Sequence, residues 1–241
     1  MNKLPTIEIS NQDQWKHDVA SFISSKIDSI LQIQGKCSIS LAGGSTPKAV
    51  YELLASSEYS GQMEWDNIYF FWGDERCVPH SHDDSNYKMV KEAFLDHVEI
   101  PKENIFPVSD QFDPAAAAED YQQKIEKYFD GKEPSIDIML LGMGDDGHTA
   151  SLFPGTNVLS ENEKWVSEVF IKDKNVFRIS MTAPFINRAK NIVFLIKGEN
   201  KTPALNQVLN GQQDTDTYPS QLIRRSPNVY YLLDEEAASG V

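Results

Sequence analysis

The chain is poor in cysteine, long apolar runs and positive charge. Its two cysteines, Cys37 and Cys77, have neither metal-binding nor disulfide spacing, and both lie in strand-like runs typical of buried thiols. No apolar run approaches membrane-spanning length, and the N-terminal residues lack the continuous apolar core of a signal peptide. These absences predict a cytoplasmic protein that is not associated with a membrane.

Negative charge dominates the sequence, with 36 acidic residues against 22 basic ones and a net charge of −14. An acidic surface repels phosphate backbones, so we expect no nucleic-acid partner, although a local basic pocket can still bind a small anion. Hydrophobic residues make up 40% of the 241 residues, and no internal repeat or low-complexity linker divides them. We therefore predict a single domain over residues 1–241, present as a monomer or a weak homodimer.

Helical and strand-like patterns alternate along the chain. Apolar spacing predicts helices at residues 11–34, 47–57, 85–97, 114–129, 202–209 and 219–223. Strands are predicted at residues 37–41, 68–72, 136–141, 165–171, 177–181, 192–196 and 229–233. This alternation favours an α/β fold with a mostly parallel sheet covered on both faces. Ligands bind such sheets at the carboxyl ends of the strands, so the loops after residues 41, 72, 141 and 196 are candidate site loops.

The turn at residues 142–147 reads G-M-G-D-D-G and matches the dinucleotide-binding fingerprint. We reject that interpretation because Asp145 and Asp146 would place two negative charges where a pyrophosphate binds. A Pro-Gly pair also ends the short helix predicted after His148 too early for a regular crossover. An imidazole beside acidic groups and open backbone N–H groups instead suits acid–base chemistry. Asp146 bonds either a ring nitrogen of His148 or a substrate hydroxyl, and the sequence leaves both open.

The loop after the strand at 37–41 reads A-G-G-S-T-P. Gly43 and Gly44 allow close approach of the backbone to a ligand, and Ser45 or Thr46 is expected to cap the next helix. A helix N-terminus with free N–H groups is a ready anion site. The loop is not a P-loop, because the G-K-S/T ending is missing. An ordinary capped turn is the alternative, but two glycines beside two hydroxyls favour phosphate binding.

Charged residues follow two other strands. Arg76 is placed to pair with an anion, and Asp74 or Glu75 to contact sugar hydroxyls or orient Arg76, with a surface salt-bridge cluster as the alternative. Lys201 at a helix start is electrostatically unfavourable unless it meets an anion. Arg178 lies within an apolar strand, where it either reaches the site or faces solvent at a sheet edge.

Six segments carry a specific family pattern, most of all GDER combined with G-x-G-x-D-G-H-x-A-S-L-F-P. They are SLAGGSTPKAVYELL (40–54), FFWGDERCVP (70–79), SNYKMV (85–90), LLGMGDDGHTASLFPG (140–155), RISMTAPFINRA (178–189) and KGENK (197–201). Together they run through almost the whole chain in one order. The sequence resembles the 6-phosphogluconolactonases of the glucosamine-6-phosphate isomerase/6-phosphogluconolactonase family.

The resemblance implies a modified Rossmann-like α/β sandwich, shared with glucosamine-6-phosphate deaminase and ribose-5-phosphate isomerase. It also implies hydrolysis of 6-phospho-D-glucono-1,5-lactone to 6-phospho-D-gluconate, in the oxidative pentose phosphate pathway, without a metal or organic cofactor. By motif, His148 is the expected general base, and Asp146 and Arg76 are expected to assist it. The substrate or phosphate contacts are expected to be Gly43, Gly44, Ser45, Thr46, Asp74, Gly147, Arg178 and Lys201.

Two rival functions remain. Glucosamine-6-phosphate deaminases share the Gly-Ser-Thr loop and the D-G-H turn, but carry F-N-E-P after that turn and D-E-Y after the second strand. Here residues 151–154 read S-L-F-P, without an acid, and residues 74–76 read D-E-R. A non-catalytic sugar-phosphate sensor would need a partner-binding module, which the sequence pattern does not show.

Overall fold

The computed structural model describes residues 4–110, 113–223 and 226–241. Within this part of the chain, the strands are β1 (Thr6–Ser10), β2 (Cys37–Leu41), β3 (Ile68–Trp72), β4 (Asp74–Arg76), β5 (Ile138–Leu141), β6 (Val166–Ile171), β7 (Val176–Met181), β8 (Asn191–Ile196) and β9 (Val229–Asp234). Six of them form a sheet of order β1-β9-β8-β5-β2-β3, in which every neighbouring pair is parallel. The prediction of an α/β fold with a mostly parallel sheet is confirmed.

Helices connect these strands. They are α1 (Trp15–Gln34), α2 (Ser45–Leu54), α3 (Asn86–Ala93), α4 (Pro114–Phe129), α5 (Ala183–Ile186) and α6 (Thr202–Asn210). The apolar spacing in α1 buries Trp15, Val19, Ile23 and Ile27, and the helix ends at Gly35 with φ +71°. None of the described helices is long and apolar enough to cross a membrane.

The hydrophobic core lies along the central strands. Every residue of β2 and β5 is buried, as expected for strands in the middle of a sheet with both faces covered. β5 reads I-M-L-L and is continuously apolar, whereas β2 reads C-S-I-S-L and also buries two serines. Burial of this kind makes the carboxyl ends of the strands a rigid base for the loops that follow them.

A second sheet contains β4, β7 and β6 in antiparallel pairing. The strands predicted at 165–171 and 177–181 are present, but they do not join the parallel sheet. The connection between β6 and β7 contains only the turn Lys172–Lys174 and one further residue. A connection of this length is too short for a parallel crossover, so the two strands form an antiparallel hairpin. The second sheet brings β7 beside β4, directly after the end of β3.

The structure differs from the predictions at several elements. β1 was not predicted, because it is a largely exposed edge strand whose apolar residues bury little. β4 was not predicted, because its three residues are all charged. The helix expected at 85–97 ends at Ala93 and continues as the 3₁₀ turn Leu95–His97, and the one expected at 219–223 is the 3₁₀ turn Pro219–Leu222.

The short helix predicted after His148 is wrong. Residues 149–155 form turns instead, with the Leu152 N–H donating to the Thr149 carbonyl at 2.9 Å. Ala150 has φ +47°, a left-handed conformation that is costly for a residue with a Cβ. The chain after His148 therefore turns back sharply, which brings residues 150–153 to the same end of the sheet.

Candidate active site

A cavity of about 340 Å³ opens where the loops after β8, β5, β2 and β3 meet. These four strands are neighbours in the sheet, so their carboxyl ends form one edge, as the general rule for α/β sheets predicts. The structure brings most of the predicted site residues to this cavity. Those that line it are Gly43, Gly44, Ser45, Thr46, Asp74, Arg76, His148, Arg178 and Lys201.

The loop at residues 43–46, here called the GGST loop, leads directly into α2. The helix begins at Ser45, and Gly44 is its N-cap residue with φ +102° and ψ +169°, a conformation that favours glycine. The prediction that Ser45 or Thr46 caps the helix is wrong, because no side chain caps it. The first N–H groups of α2 are thus left at the cavity without a side-chain acceptor, which is the arrangement that binds anions.

His148 and Asp146 form a hydrogen-bonded pair. The Nδ1 atom of His148 lies 2.5 Å from Oδ1 of Asp146, which also accepts the His148 backbone N–H at 3.1 Å. Burial alone would raise the pKa of Asp146, but the two hydrogen bonds from His148 lower that pKa from 3.8 to about 2. An ionised Asp146 accepts the Nδ1 proton, so a neutral His148 carries its lone pair on Nε2. The structure therefore selects the ring nitrogen over a substrate hydroxyl as the partner of Asp146.

The turn that holds this pair closes on itself. Gly144 donates its N–H to the His148 carbonyl at 2.9 Å, and Gly147 donates to the Gly144 carbonyl at 3.0 Å. A Cβ on Gly144 would lie 2.1 Å from Nδ1 of His148, so only glycine leaves room for the imidazole. The N–H groups of Gly144, Gly147 and His148 are therefore already engaged within the turn.

Gly147 and Asp146 are not among the residues that line the cavity. Gly147 has φ +77°, and a Cβ there would lie 2.9 Å from the ring of Tyr218. Its carbonyl accepts the N–H of Ser220 at 2.9 Å. This placement does not support the expectation that Gly147 contacts the substrate, because Gly147 is packed against Tyr218 and Ser220 and does not line the cavity. Its role in the structure is to allow the turn.

Phe153 forms one wall beside the imidazole. Its ring stacks on that of His148 with centroids 3.9 Å apart and planes inclined by 27°. The Nζ atom of Lys174, from the β6–β7 hairpin, lies 5.4 Å from the centre of the same Phe153 ring. The stack restricts rotation of the His148 ring and shields one of its faces from solvent.

Asp74 lies at the cavity with both oxygens engaged. The Ser151 hydroxyl donates to Oδ2 at 2.6 Å, and the Asn86 amide lies 3.5 Å from Oδ1 and 2.9 Å from the Asp74 carbonyl. Ser151 and Asn86 were not predicted as site residues, although both lie within segments that carry the family pattern. Each appears as a polar residue in a short motif, and only the fold brings it to Asp74.

Glu75 faces away from the cavity, towards α3. It is 2% exposed and accepts the backbone N–H groups of Arg76, Asn86 and Tyr87, each at 2.7 Å. Burial raises the pKa of Glu75, and these hydrogen bonds offset part of the rise. Asp74 therefore lies at the cavity, whereas the Glu75 carboxylate is a buried acceptor of backbone hydrogen bonds.

Arg76 and Arg178 are directly opposite each other in the β4–β7 pair, so they lie on the same face of the second sheet. Arg76 donates to the Asp84 carbonyl at 2.5 Å, whereas the buried Nε and Nη1 of Arg178 have no hydrogen-bond partner among the described residues. Burial, and then the charge of Arg76, lowers the pKa of Arg178. Like charges in direct opposition are destabilising, and an anion between them would relieve the repulsion.

Lys201 lines the cavity and contacts Asp145. Its Nζ bonds Oδ1 of Asp145, which the Asn200 amide also contacts at 2.9 Å. The hydrogen bond from Lys201, followed by that from Asn200, lowers the pKa of Asp145. This cluster ties the turn after β5 to the start of α6.

The cavity is locally basic although the chain as a whole is acidic. Among the described residues that line it, five are basic and one, Asp74, is acidic; the basic residues are Arg76, Lys174, Arg178, Lys197 and Lys201. Lys174 and Lys197 were not predicted, because a lysine at a hairpin turn or a strand end is most often a surface residue. The described residues contain no group of three or more His, Cys, Asp or Glu side chains arranged to hold a metal ion.

Comparisons with known proteins agree with this architecture. The family model for glucosamine-6-phosphate isomerases/6-phosphogluconolactonase matches residues 10–231. A 6-phosphogluconolactonase of a Nostoc species is 44% identical, with 90% of each chain covered, and one of Synechocystis is 38% identical, covering 91% of this chain and 90% of its own.

Solved structures show the same relationship. The 6-phosphogluconolactonase of Trypanosoma cruzi superimposes with a TM-score of 0.88 at 30% identity, covering 100% of this chain and 98% of its own. A monomeric glucosamine-6-phosphate deaminase superimposes with a TM-score of 0.81 at 21% identity, over 98% of this chain and 100% of its own, and shares the fold. The resemblance inferred from the sequence is confirmed: the chain belongs to the glucosamine-6-phosphate isomerase/6-phosphogluconolactonase family.

Proposed function

We propose that this protein hydrolyses 6-phospho-D-glucono-1,5-lactone to 6-phospho-D-gluconate, the second step of the oxidative pentose phosphate pathway. The observation that carries the proposal is the pairing of His148 with an ionised Asp146 in the same cavity as an uncapped helix N-terminus and two opposed arginines. Relatives named 6-phosphogluconolactonase, at 38–44% identity over nine-tenths of the chain, support the same substrate.

The substrate phosphate binds at the GGST loop. Free N–H groups at the start of α2 and the positive end of its helix dipole favour a dianion there. Arg76 and Arg178 add charge on the β4–β7 side, and a phosphate near them compensates their mutual repulsion. Lys201, which also lines the cavity, adds a further positive charge. Binding the phosphate in this way holds the lactone ring at a fixed position relative to His148.

His148 acts as the general base. Asp146 holds Nδ1 protonated, so Nε2 removes a proton from a water molecule as that water attacks C1 of the lactone. The negative charge of Asp146 stabilises the imidazolium that forms. Protonated His148 then returns the proton to the ring oxygen as the bond between C1 and that oxygen breaks, leaving the open-chain acid.

The oxyanion that develops on C1 requires a cation or N–H donor at the cavity. The N–H groups of Gly144 and Gly147 cannot serve, because each already donates within the turn. Lys174 lies beside Phe153 and makes no ion pair or hydrogen bond with its Nζ to a described residue. We assign oxyanion stabilisation to Lys174, with the free N–H groups of Arg178 as the second candidate.

The test is the hydrolysis of freshly generated 6-phosphogluconolactone, coupled to 6-phosphogluconate dehydrogenase and corrected for spontaneous hydrolysis. We expect wild-type protein to exceed the background, and the His148→Ala variant to lose about 10²–10⁴-fold in kcat while still binding 6-phosphogluconate. His17→Ala, on α1 and outside the cavity, is the matched control for loss of a histidine.

A His148→Ala variant with near-normal kcat would contradict the assignment of the base. Folded wild-type protein that only matches the background rate would contradict the lactonase itself. Ammonia release from glucosamine 6-phosphate would then support a deaminase. Tight binding of sugar phosphates without turnover of either substrate would support a sensor.

A further inference from the structure

Asn86 occupies a position between the GGST loop and Asp74. It is 2% exposed, yet it lines the cavity as the first residue of α3. Its amide nitrogen donates to the Asp74 carbonyl at 2.9 Å and lies 3.5 Å from Oδ1 of the same residue. One side chain thus contacts the acid at the cavity and, on its other side, the loop that begins α2.

The contact with the GGST loop is tight at Gly43. A Cβ built on Gly43 would lie 2.0 Å from Oδ1, 2.4 Å from Cγ and 2.6 Å from Nδ2 of Asn86. These three nearest atoms all belong to the amide of Asn86. Glycine at position 43 is therefore required by Asn86, since the backbone conformation of Gly43 itself is not left-handed.

Asn86 is itself held in place from beneath. Glu75, which is buried, accepts the Asn86 backbone N–H at 2.7 Å, and the next N–H, of Tyr87, at the same distance. The Ser85 hydroxyl caps α3 and donates to the same carboxylate at 3.2 Å. Because Glu75 belongs to β4, the start of α3 cannot move independently of Asp74 and Arg76.

We propose that Asn86 is a positioning residue that locks the GGST loop to Asp74 and so sets the distance between the substrate's phosphate and the Asp74 side of the cavity. This inference rests on the proposed function for the identity of the substrate, but the lock itself concerns only the protein. A fixed distance of this kind discriminates between sugar phosphates of different length. Asn86 contacts neither His148 nor Asp146, so the lock acts on binding rather than on proton transfer.

A double-mutant cycle tests the lock, with inorganic phosphate as the probe in titration calorimetry. Gly43→Ala in the wild-type background should weaken phosphate binding by about tenfold or more, because the new Cβ displaces the loop or the amide. In the Asn86→Ala background the three obstructing atoms are gone. There, Gly43→Ala should change the dissociation constant by no more than about a factor of two.

The kinetic readout separates positioning from folding. Asn86→Ala should raise KM for the lactone while leaving kcat nearly unchanged, because the pair of His148 and Asp146 is untouched. Asn104→Ala is the matched control. Asn104 is as deeply buried as Asn86, at 3% exposure, and its amide donates to the Asp66 carbonyl at 2.8 Å. Unlike Asn86, it does not line the cavity. We expect that control to lower stability and leave phosphate affinity and KM unchanged.

Equal effects of Gly43→Ala in both backgrounds would overturn the lock, as would phosphate affinity and KM in Asn86→Ala that match those of Asn104→Ala. Phosphate binding that is absent from folded wild-type protein would overturn it too. If Asn86→Ala does not fold, Asn86→Ser replaces it in the cycle, since serine lacks the amide oxygen and nitrogen and its single Oγ can rotate away from Gly43. If the effects of Gly43→Ala and Asn86→Ala on phosphate affinity are coupled but the protein has no lactonase activity, the positioning role of Asn86 is supported and the proposed function is rejected.

Discussion

Two glycine-rich segments leave neighbouring strands at the same edge of the sheet and do opposite things with their backbone N–H groups. After β2, the GGST loop enters α2 without a side-chain cap, so donors remain at the cavity. After β5, the N–H groups of Gly144 and Gly147 donate to carbonyls within the same turn, those of His148 and Gly144. The first segment is suited to binding an anion, and the second to holding a side chain.

The glycines serve different purposes in the two segments. Gly44 is needed for its backbone conformation, with φ +102° and no atom within 4 Å of an added Cβ. Gly144 is needed for space, because the imidazole of His148 occupies the position of a Cβ. A glycine pattern in the sequence therefore indicates that a loop is constrained, but not whether it binds phosphate. Whether a loop can bind phosphate depends on how many of its backbone N–H groups have no acceptor within the protein.

The largest loss of activity is expected when a side chain is added at Gly144, in the turn after β5. Gly144→Ala should displace His148 from Asp146 and reduce kcat by about 10²–10⁴-fold, similar to loss of the base, with phosphate affinity retained. Coupled lactonase assays and phosphate titration measure the two quantities. Gly142→Ala, in the same turn but with nothing within 4 Å of the added Cβ, should retain most of the activity. Equal losses in both variants would show that steric exclusion beside His148 is not the cause.

The next effect concerns the charge of Asp146. Asp146→Asn should lower kcat by about 10²-fold or more, because an amide neither fixes Nδ1 as the protonated nitrogen nor stabilises the imidazolium. Measurement of kcat for both proteins by the coupled assay, at the same pH, checks this. A kcat close to that of wild type would limit Asp146 to a structural role in the turn.

The same variant tests the pKa of Asp146 through stability. Because folding lowers that pKa from 3.8 to about 2, ionised Asp146 stabilises the folded state above pH 3.8, and this contribution is lost as the pH falls towards 2. Denaturant unfolding of both proteins should give a difference in free energy of unfolding that is constant near neutral pH and shrinks over that acid range. A difference that does not change over that acid range would contradict the lowered pKa of Asp146 in the folded state.

A smaller effect is expected when backbone freedom is removed from the GGST loop. Gly44→Ala should strain the N-terminus of α2 by about 1–3 kcal/mol and weaken phosphate binding by up to about tenfold, with kcat at saturating substrate little changed. Gly35→Ala is the matched control, since Gly35 also has positive φ and open space around it but ends α1, outside the cavity. Thermal unfolding should show destabilisation in both variants, and calorimetry should show weaker phosphate binding in Gly44→Ala alone.

The parts of the fold that the sequence predicted well are those in which local pattern and burial coincide. The central strands are buried on both faces, so β5 and the last five residues of β8 appear as continuous apolar runs. The parts that failed are those with little burial, such as β1, or with charged residues whose pairing is non-local, such as β4. The helix expected after His148 failed because turns at residues 149–155 and the left-handed Ala150 override the local pattern.

The same distinction holds for the site. His148 and the GGST loop were predictable because each lies in a loop that follows a buried strand, and parallel strands end at one edge. Asn86 and Ser151 could not be assigned in this way, since they become site residues only through their contacts with Asp74. Arg178 was undecided from the sequence, and its register opposite Arg76 places it at the cavity.

By itself, the sequence determined the order of the buried strands and the longer helices, the strand-end position of the loops and the nearness of His148 to Asp146, because these depend on local pattern and short chain separation. Only the tertiary structure decided which atom of His148 meets Asp146, that α2 lacks a side-chain cap, that β4 and β7 form a second sheet, and that Asn86 sits against Gly43. The second sheet and the contact of Asn86 with Gly43 join residues far apart in the chain, whereas the His148–Asp146 contact and the uncapped start of α2 depend on the backbone conformation of their loops; both are set when the core packs.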